Sequence, residues 1–169
     1  PESRYREDRL QSAADELQRH LSVVPGVTGV GAISHLPFDD LPNWGLTYGR
    51  DPRSDAGGAA KADARAISAG LFETIGVRLI EGRFFNASEN PANPVVIVDE
   101  KLASQMWPGQ SALGRQFLVG QAFPERRVTV VGVVAHLRLR SLVEDLTPQI
   151  FIPFRVWQRN PMAFVVRTG

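Results

Sequence analysis

Apolar residues at Leu10, Ala14, Leu17, Leu21 and Val24 recur at spacings of four, three, four and three, which sets them along one face of a helix. The pattern predicts a helix through YREDRLQSAADELQRHLSVV, ended by Pro25-Gly26. Arg4 with Asp8, and Asp15 with Arg19, stand four apart on the remaining surface. Such pairs contribute only about 0.2–0.5 kcal/mol each, so the helix is expected to depend on burying its leucine face. VTGVGAIS, Val27 to Ser34, reads as a strand whose small residues suit close packing against a helix or another backbone.

Asp39 to Gly58 is rich in Gly, Pro, Asp and Asn, with WGLTYG as its one strand-like core. AKADARAIS alternates small residues against larger ones and predicts a strand, followed by a turn and the short helix LFETIG. PVVIVDEKLASQMWPG predicts a buried strand feeding a helix. Asp99 is its N-cap, Glu100 and Lys101 lie in the first turn, and Leu102, Ala103, Met106 and Trp107 share one face. Trp107 is therefore expected to be largely buried. Further strands read at RQFLVG, RRVTVVGVVAHL, QIFIPF and AFVVRT. Helices early and strands late predict an α+β domain rather than a doubly wound parallel sheet.

Composition narrows the function classes. With 169 residues, of which 43% are hydrophobic and 22% charged, the chain can close one sizeable core or two small lobes. A formal net charge of +1 supplies no field to draw it to nucleic acid or an anionic membrane. The chain has 0 cysteines, so disulfide and thiolate chemistry are excluded. Its longest apolar run, VTVVGVVA, falls far short of the roughly 20 residues of a membrane helix. Beginning at Pro1 with neither an initiator methionine nor a signal peptide, it reads as an excised domain.

One motif raises a catalytic question. Ala66-Ile67-Ser68-Ala69-Gly70 is one residue short of the G-x-S-x-G elbow of serine hydrolases. That chemistry needs an acid and a histidine after the serine, and His136 is the only histidine that follows. No HGG-like oxyanion loop precedes it, and the alternative role for Ser68 or Gly70 is to cap LFETIG, with Glu73 in its first turn. His20, His35 and His136 are scattered without metal-ligand spacing, so no metal and no cofactor are expected. The glycines of GVTGVG follow a helix and lie within a strand, the reverse of a dinucleotide loop. HLPFDDLPNWGLTYG places Leu36, Phe38, Leu41, Trp44 and Tyr48 among turn formers, more apolar area than a plain loop needs, and marks a candidate partner surface.

Three long motifs carry a family resemblance. SAGLFETIGVRLIEGRFF, PVVIVDEKLASQMWPGQSALGRQF and VTVVGVVAHLRLRSLVEDLTPQIFIPF closely resemble the extracytoplasmic core domain of MacB/FtsX-type ABC transporter permeases, particularly the duplicated permeases of acidobacteria. Those domains read S-P-G-Y-F-x-T-L-G-I-P-L-x-x-G-R, then V-V-I-V-N-E with W-P-G, then V-V-G-V-V-x-D-V-R. The order and spacing match over roughly Val27 to Thr168. Ala69 stands where the family has Pro, Leu71 where it has an aromatic, Asp99 where it has Asn, and His136 where it has Asp; these departures are expected to alter caps and surface contacts rather than core positions.

The resemblance implies two lobes. A βα porter-like lobe would span about 1–35, 63–110 and 147–169, and a smaller β-rich lobe, formed from two insertions, about 36–62 and 111–146. The family also has a strand before the first helix and a helix after the last strand, so one lobe is expected to be incomplete at its edge. It further implies a non-catalytic domain on the periplasmic side of the bacterial inner membrane, part of an integral membrane protein, moving with transmembrane helices as a cytoplasmic ATPase cycles. Its partners would be its own transmembrane helices, the ABC ATPase indirectly, and a second copy of the domain or a periplasmic protein, with no nucleic acid. Two readings from other classes stand beside it: a free-standing serine hydrolase using Ser68, and a small-molecule or lipid sensor binding in a cleft between the lobes.

Overall fold

The computed structural model describes residues 2–38, 44–49, 60–120, 122–123, 126–138, 147–157 and 162–169, with side chains from Arg9 onward. Its elements in chain order are α1 (Glu2–Ser22), β1 (Val27–Ile33), β2 (Trp44–Gly49), β3 (Ala60–Ile67), α2 (Leu71–Ile75), β4 (Leu79–Gly82), β5 (Val95–Asp99), α3 (Glu100–Met106), β6 (Gln116–Val119), β7 (Arg127–Val134), β8 (Gln149–Pro153) and β9 (Ala163–Thr168). Every segment expected to be regular is so. β4 is additional: it pairs antiparallel with β7 through Leu79 and Val134, while its four residues alternate half-buried and exposed, too few for the periodicity to stand out.

All nine strands belong to one mixed sheet, ordered β2-β6-β7-β5-β8-β3-β1-β9, with β4 on β7. β3 and β8 run parallel, as do β5 and β7, and the remaining pairs are antiparallel. β2 also pairs with β3, so six strands form a closed hydrogen-bonded circuit. Alternate residues from all six meet in one apolar cluster, among them Leu46 and Tyr48 of β2, Ala64 of β3, Val98 of β5, Phe117 of β6, Val130 of β7 and Ile152 of β8. Leu102 and Trp107 of the α3 segment join this cluster. The opposite faces of β3, β5 and β8, through Ile67, Ile97 and Phe151, join Leu71 and Phe72 of α2 in a second cluster. The fold class is thus α+β, as the order of elements implied, and strands assigned to both expected lobes share one sheet.

The small residues of β1 do what their size suggested. A Cβ built on Gly31 would lie 2.4 Å from the Leu71 Cα, so α2 rests directly on the β1 backbone, and only glycine allows that approach. α2 itself is bounded by Gly70 and Gly76, both at positive φ.

α1 departs from expectation. Leu10, Leu17 and Val24 are exposed, Leu17 by 44%, while Gln11, Ala14, Asp15, Gln18 and Leu21 are half-buried. The helix is turned so that its amide face meets the body. The Gln18 amide donates to the carbonyls of Val30, at 3.2 Å, and Ala69, at 2.9 Å, holding the helix to the β1 strand and the turn after β3. Asp15 accepts from Gln11, at 2.7 Å, and pairs with Arg155 at 2.5 Å, in place of the expected bond to Arg19. Side-chain hydrogen bonds, more than apolar burial, set the orientation of α1.

Two of the departures from the family pattern also fall in the interior, contrary to expectation. Leu71 and Asp99 are both buried, because the former sits beneath α2 against β1 and the latter at the β5–α3 junction.

Candidate functional site

β3 leaves the sheet at Ile67, Ser68 follows, and Gly70 at φ 84 turns the chain into α2. The Ser68 Oγ accepts from the Ala32 N–H at 2.8 Å and donates to its neighbour's carbonyl, Ala69 O, at 3.0 Å. No side chain caps α2; Gly70 occupies the N-cap position, so the hydroxyl is not the expected cap. It ties β1 to the turn instead, together with the Ser68 N–H donating to Ala32 O at 2.9 Å. Ser68→Ala leaves the Ala32 N–H without its acceptor and should lower stability by about 1–3 kcal/mol, read by denaturant unfolding. An unchanged midpoint would show that water replaces the hydroxyl.

Ser68 opens on a cleft of about 360 Å³. α1 forms one wall with Gln11, Asp15 and Gln18; Phe85 and Phe154 form an apolar floor; Asn86 and Glu89 stand on another side. Glu89 accepts from Arg83 at 2.5 Å and from the Asn86 N–H at 3.2 Å, and that hydrogen bond, more than the charge of Glu89, raises the Arg83 pKa from its ordinary value. The lining residues include no histidine. His136, the histidine the elbow reading required, donates from Nδ1 to Asp99 Oδ2 at 2.6 Å at the start of α3. An acid–histidine pair therefore exists in this chain, bound to the α3 N-terminus rather than to the Ser68 cleft. All the lining residues fall within the stretches expected for the porter-like lobe, so this cleft does not lie between the two expected lobes.

The Asp99 site is a closed polar network. Oδ1 accepts from the N–H groups of Leu102, at 2.9 Å, and Gln149, at 3.1 Å, so the expected N-cap is present and also anchors β8. The Gln149 side chain accepts from Leu137 N–H at 3.0 Å and donates to Leu137 O at 2.6 Å, while the His136 N–H donates to Glu100 at 3.1 Å. Burial, and secondarily the Asp99 charge, pushes the Tyr48 hydroxyl pKa up from 10.0.

The candidate partner surface divides. Phe38 is 54% exposed and Leu36 is also exposed, with Phe38 at φ 62, a left-handed conformation that a bulky side chain rarely adopts. Trp44 is taken into an edge-to-face stack between His35, at 4.3 Å, and Trp157, at 5.1 Å. Tyr48 is only 2% exposed and donates its hydroxyl to Gln105 at 2.7 Å, so it belongs to the core. Leu41 lies outside the described residues. The sequence did not mark Gln11, Gln18, Phe85 or Arg155, because the cleft gathers them from separate segments and none carries a motif.

This mixed sheet, with its small glycine-backed helix, is the fold of extracytoplasmic transporter domains. It is similar to the extracellular domain of the noncanonical ABC-type transporter YknZ from Gram-positive bacteria, at a TM-score of 0.61 and 18% identity, covering 91% of this chain and 72% of that one. It is also similar to the periplasmic region of MacB from Actinobacillus actinomycetemcomitans, at a TM-score of 0.59 and 18% identity, covering 90% of this chain and 63% of that one. No curated protein matches the chain in sequence. The chain belongs to the MacB-like periplasmic core domain family, whose model matches residues 3–169.

Proposed function

We propose that this domain is a non-catalytic, extracytoplasmic part of an ABC transporter permease that couples ATP-driven movement of transmembrane helices to periplasmic events, as efflux or as mechanotransmission. Family membership supports its place in such a permease. The observation that carries the coupling is the closed six-strand circuit, backed by a sheet that continues to β9. Closure removes free strand edges, and the ladders must break before the parts can slide, so a displacement applied at one end is carried to the other. The two-lobed division, about 1–35, 63–110 and 147–169 against about 36–62 and 111–146, is part of this proposal, with the lobes moving together because β2 and β3 join them.

Its partners are then the permease's own transmembrane helices, the cytoplasmic ATPase through them, and a second copy or a periplasmic protein at the exposed Leu36–Phe38 segment. Strain at Phe38 supports that surface, since a left-handed bulky residue costs about 1–3 kcal/mol and persists where its placement is used. Contacts there can be weak in the isolated chain and gain from effective concentration in the membrane. Leu36→Cys in the full-length permease, treated with a bis-maleimide in membranes, should crosslink to a second copy or an accessory protein, with a yield that differs between ATP-bound and nucleotide-free states. No crosslink in either state would remove this surface from the proposal.

A further inference from the structure

We infer that the Ser68 cleft binds a short peptide segment carrying an apolar side chain, a role independent of the permease reading. β3 and β8 run parallel, Ile67 is paired with Pro153 at their carboxyl ends, and both residues line the cleft. Crevices at the carboxyl ends of parallel strands are where α/β sheets hold ligands. α1 covers this position with its amide face and leaves Leu10 and Leu17 in solvent, an orientation that sacrifices apolar burial to keep Gln11, Asp15 and Gln18 inside.

The chemistry of that wall specifies the ligand. Gln11 Nε2 donates to Asp15 Oδ1 at 2.7 Å, and Asp15 also pairs with Arg155. An ionised Asp15 only accepts, so the Gln11 carboxamide is held with Oε1 turned away; that oxygen is buried and has no hydrogen-bond partner. It requires an incoming N–H. Phe85, Phe154 and Ile67 are buried beneath, an apolar seat for a side chain. Arg19 and Arg155 balance Asp15 and Glu89 among the lining charges, so the cleft suits a neutral backbone rather than a polyanion or a multivalent cation. A peptide supplies an N–H for Gln11, a carbonyl for Arg155 and an apolar side chain for the floor. The volume, about 360 Å³, is at the small end for ligand pockets and admits a few residues.

The test is titration of the isotopically labelled 169-residue chain with acetyl-Ala-Leu-Ala-amide, and separately with monomeric octyl glucoside, followed by amide NMR. Peptide binding should shift the Gln11 side-chain amide and the Gln18 and Ser68 backbone signals. Gln11→Leu should weaken it by about fivefold to tenfold while leaving or raising the melting temperature, since an unsatisfied buried acceptor is removed. Ala14→Phe, which plugs the cleft without removing a hydrogen bond, should abolish it. The inference is overturned by an absence of shifts up to about 10 mM peptide, a range that reaches millimolar affinity. Shifts with octyl glucoside alone, assigning the cleft to lipid-like amphiphiles, would also overturn it, as would peptide shifts unaffected by both substitutions. None of these outcomes bears on whether the chain couples a permease.

Discussion

Replacing Asp99 by leucine should lower the unfolding free energy by about 3–5 kcal/mol, because a fully buried carboxylate that serves three donors is removed at once. The loss detaches the first turn of α3, the β8 backbone at Gln149 and His136 together. Denaturant unfolding of the isolated chain measures it, and a change below about 1 kcal/mol would show that the network relaxes onto water. The geometry also explains which pairs suit positions 99 and 136. One oxygen of residue 99 must accept from Leu102 and Gln149, so only its second atom can answer residue 136. Asp99 there presents an acceptor and needs a donor, which His136 supplies. The family's Asn and Asp present the same hydrogen bond with donor and acceptor exchanged. Asp99→Asn and His136→Asp should each destabilise alone and recover part of the loss together, a coupling of about 0.5–3 kcal/mol in a double-mutant cycle. Strict additivity would show that the 2.6 Å contact is not a coupled pair.

Trp107→Ala should cost about 3–5 kcal/mol, the loss expected when a large core side chain is truncated without full collapse of the cavity. The indole is 8% exposed, stacks edge-to-face on Phe117 at 5.8 Å and lies in the cluster with Leu102. Its backbone N–H also donates to Ala103 O at 2.9 Å at the end of α3, but that bond survives the substitution, so the effect reports the ring alone. The slope of the denaturant transition should stay constant while its midpoint falls. An equally stable variant would mean the ring packs against little and is free to meet a ligand.

Much of the candidate chemistry could be judged from the chain, and part could not. Ser68 was singled out correctly as a residue at a sharp turn, but its hydrogen bonds run to Ala32 and Ala69, and no short-range pattern marks a partner 36 residues away. Tyr48 and Trp44 looked like loop residues because Pro, Asp and Gly surround them. Their burial comes from β2 pairing with β3 and β6 and from Trp157, contacts that local composition does not encode. His136 looked like an isolated histidine at a strand end, and its acid stands 37 positions earlier.

The sequence by itself determined the elements. Alternation marks β3, β5 and β7 because side chains in a strand face opposite sides every second residue, and Asp99 ahead of an apolar helical run marks the start of α3 because a short carboxylate can reach a helix's free N–H groups. Gly29 and Gly31 announced a close approach, which Thr74 and Leu71 of α2 make. Only the tertiary structure decided what each face meets. A period of three and four residues gives α1 an apolar stripe, yet which side turns inward depends on the hydrogen bonds of Gln18 and on the Arg155 that meets Asp15. Closure of the sheet through β2 and β3, the cleft above Ile67 and Pro153, and the Asp99–His136 bond all join residues far apart in the chain. Periodicity describes one segment at a time, whereas these contacts arise from the order in which the strands assemble.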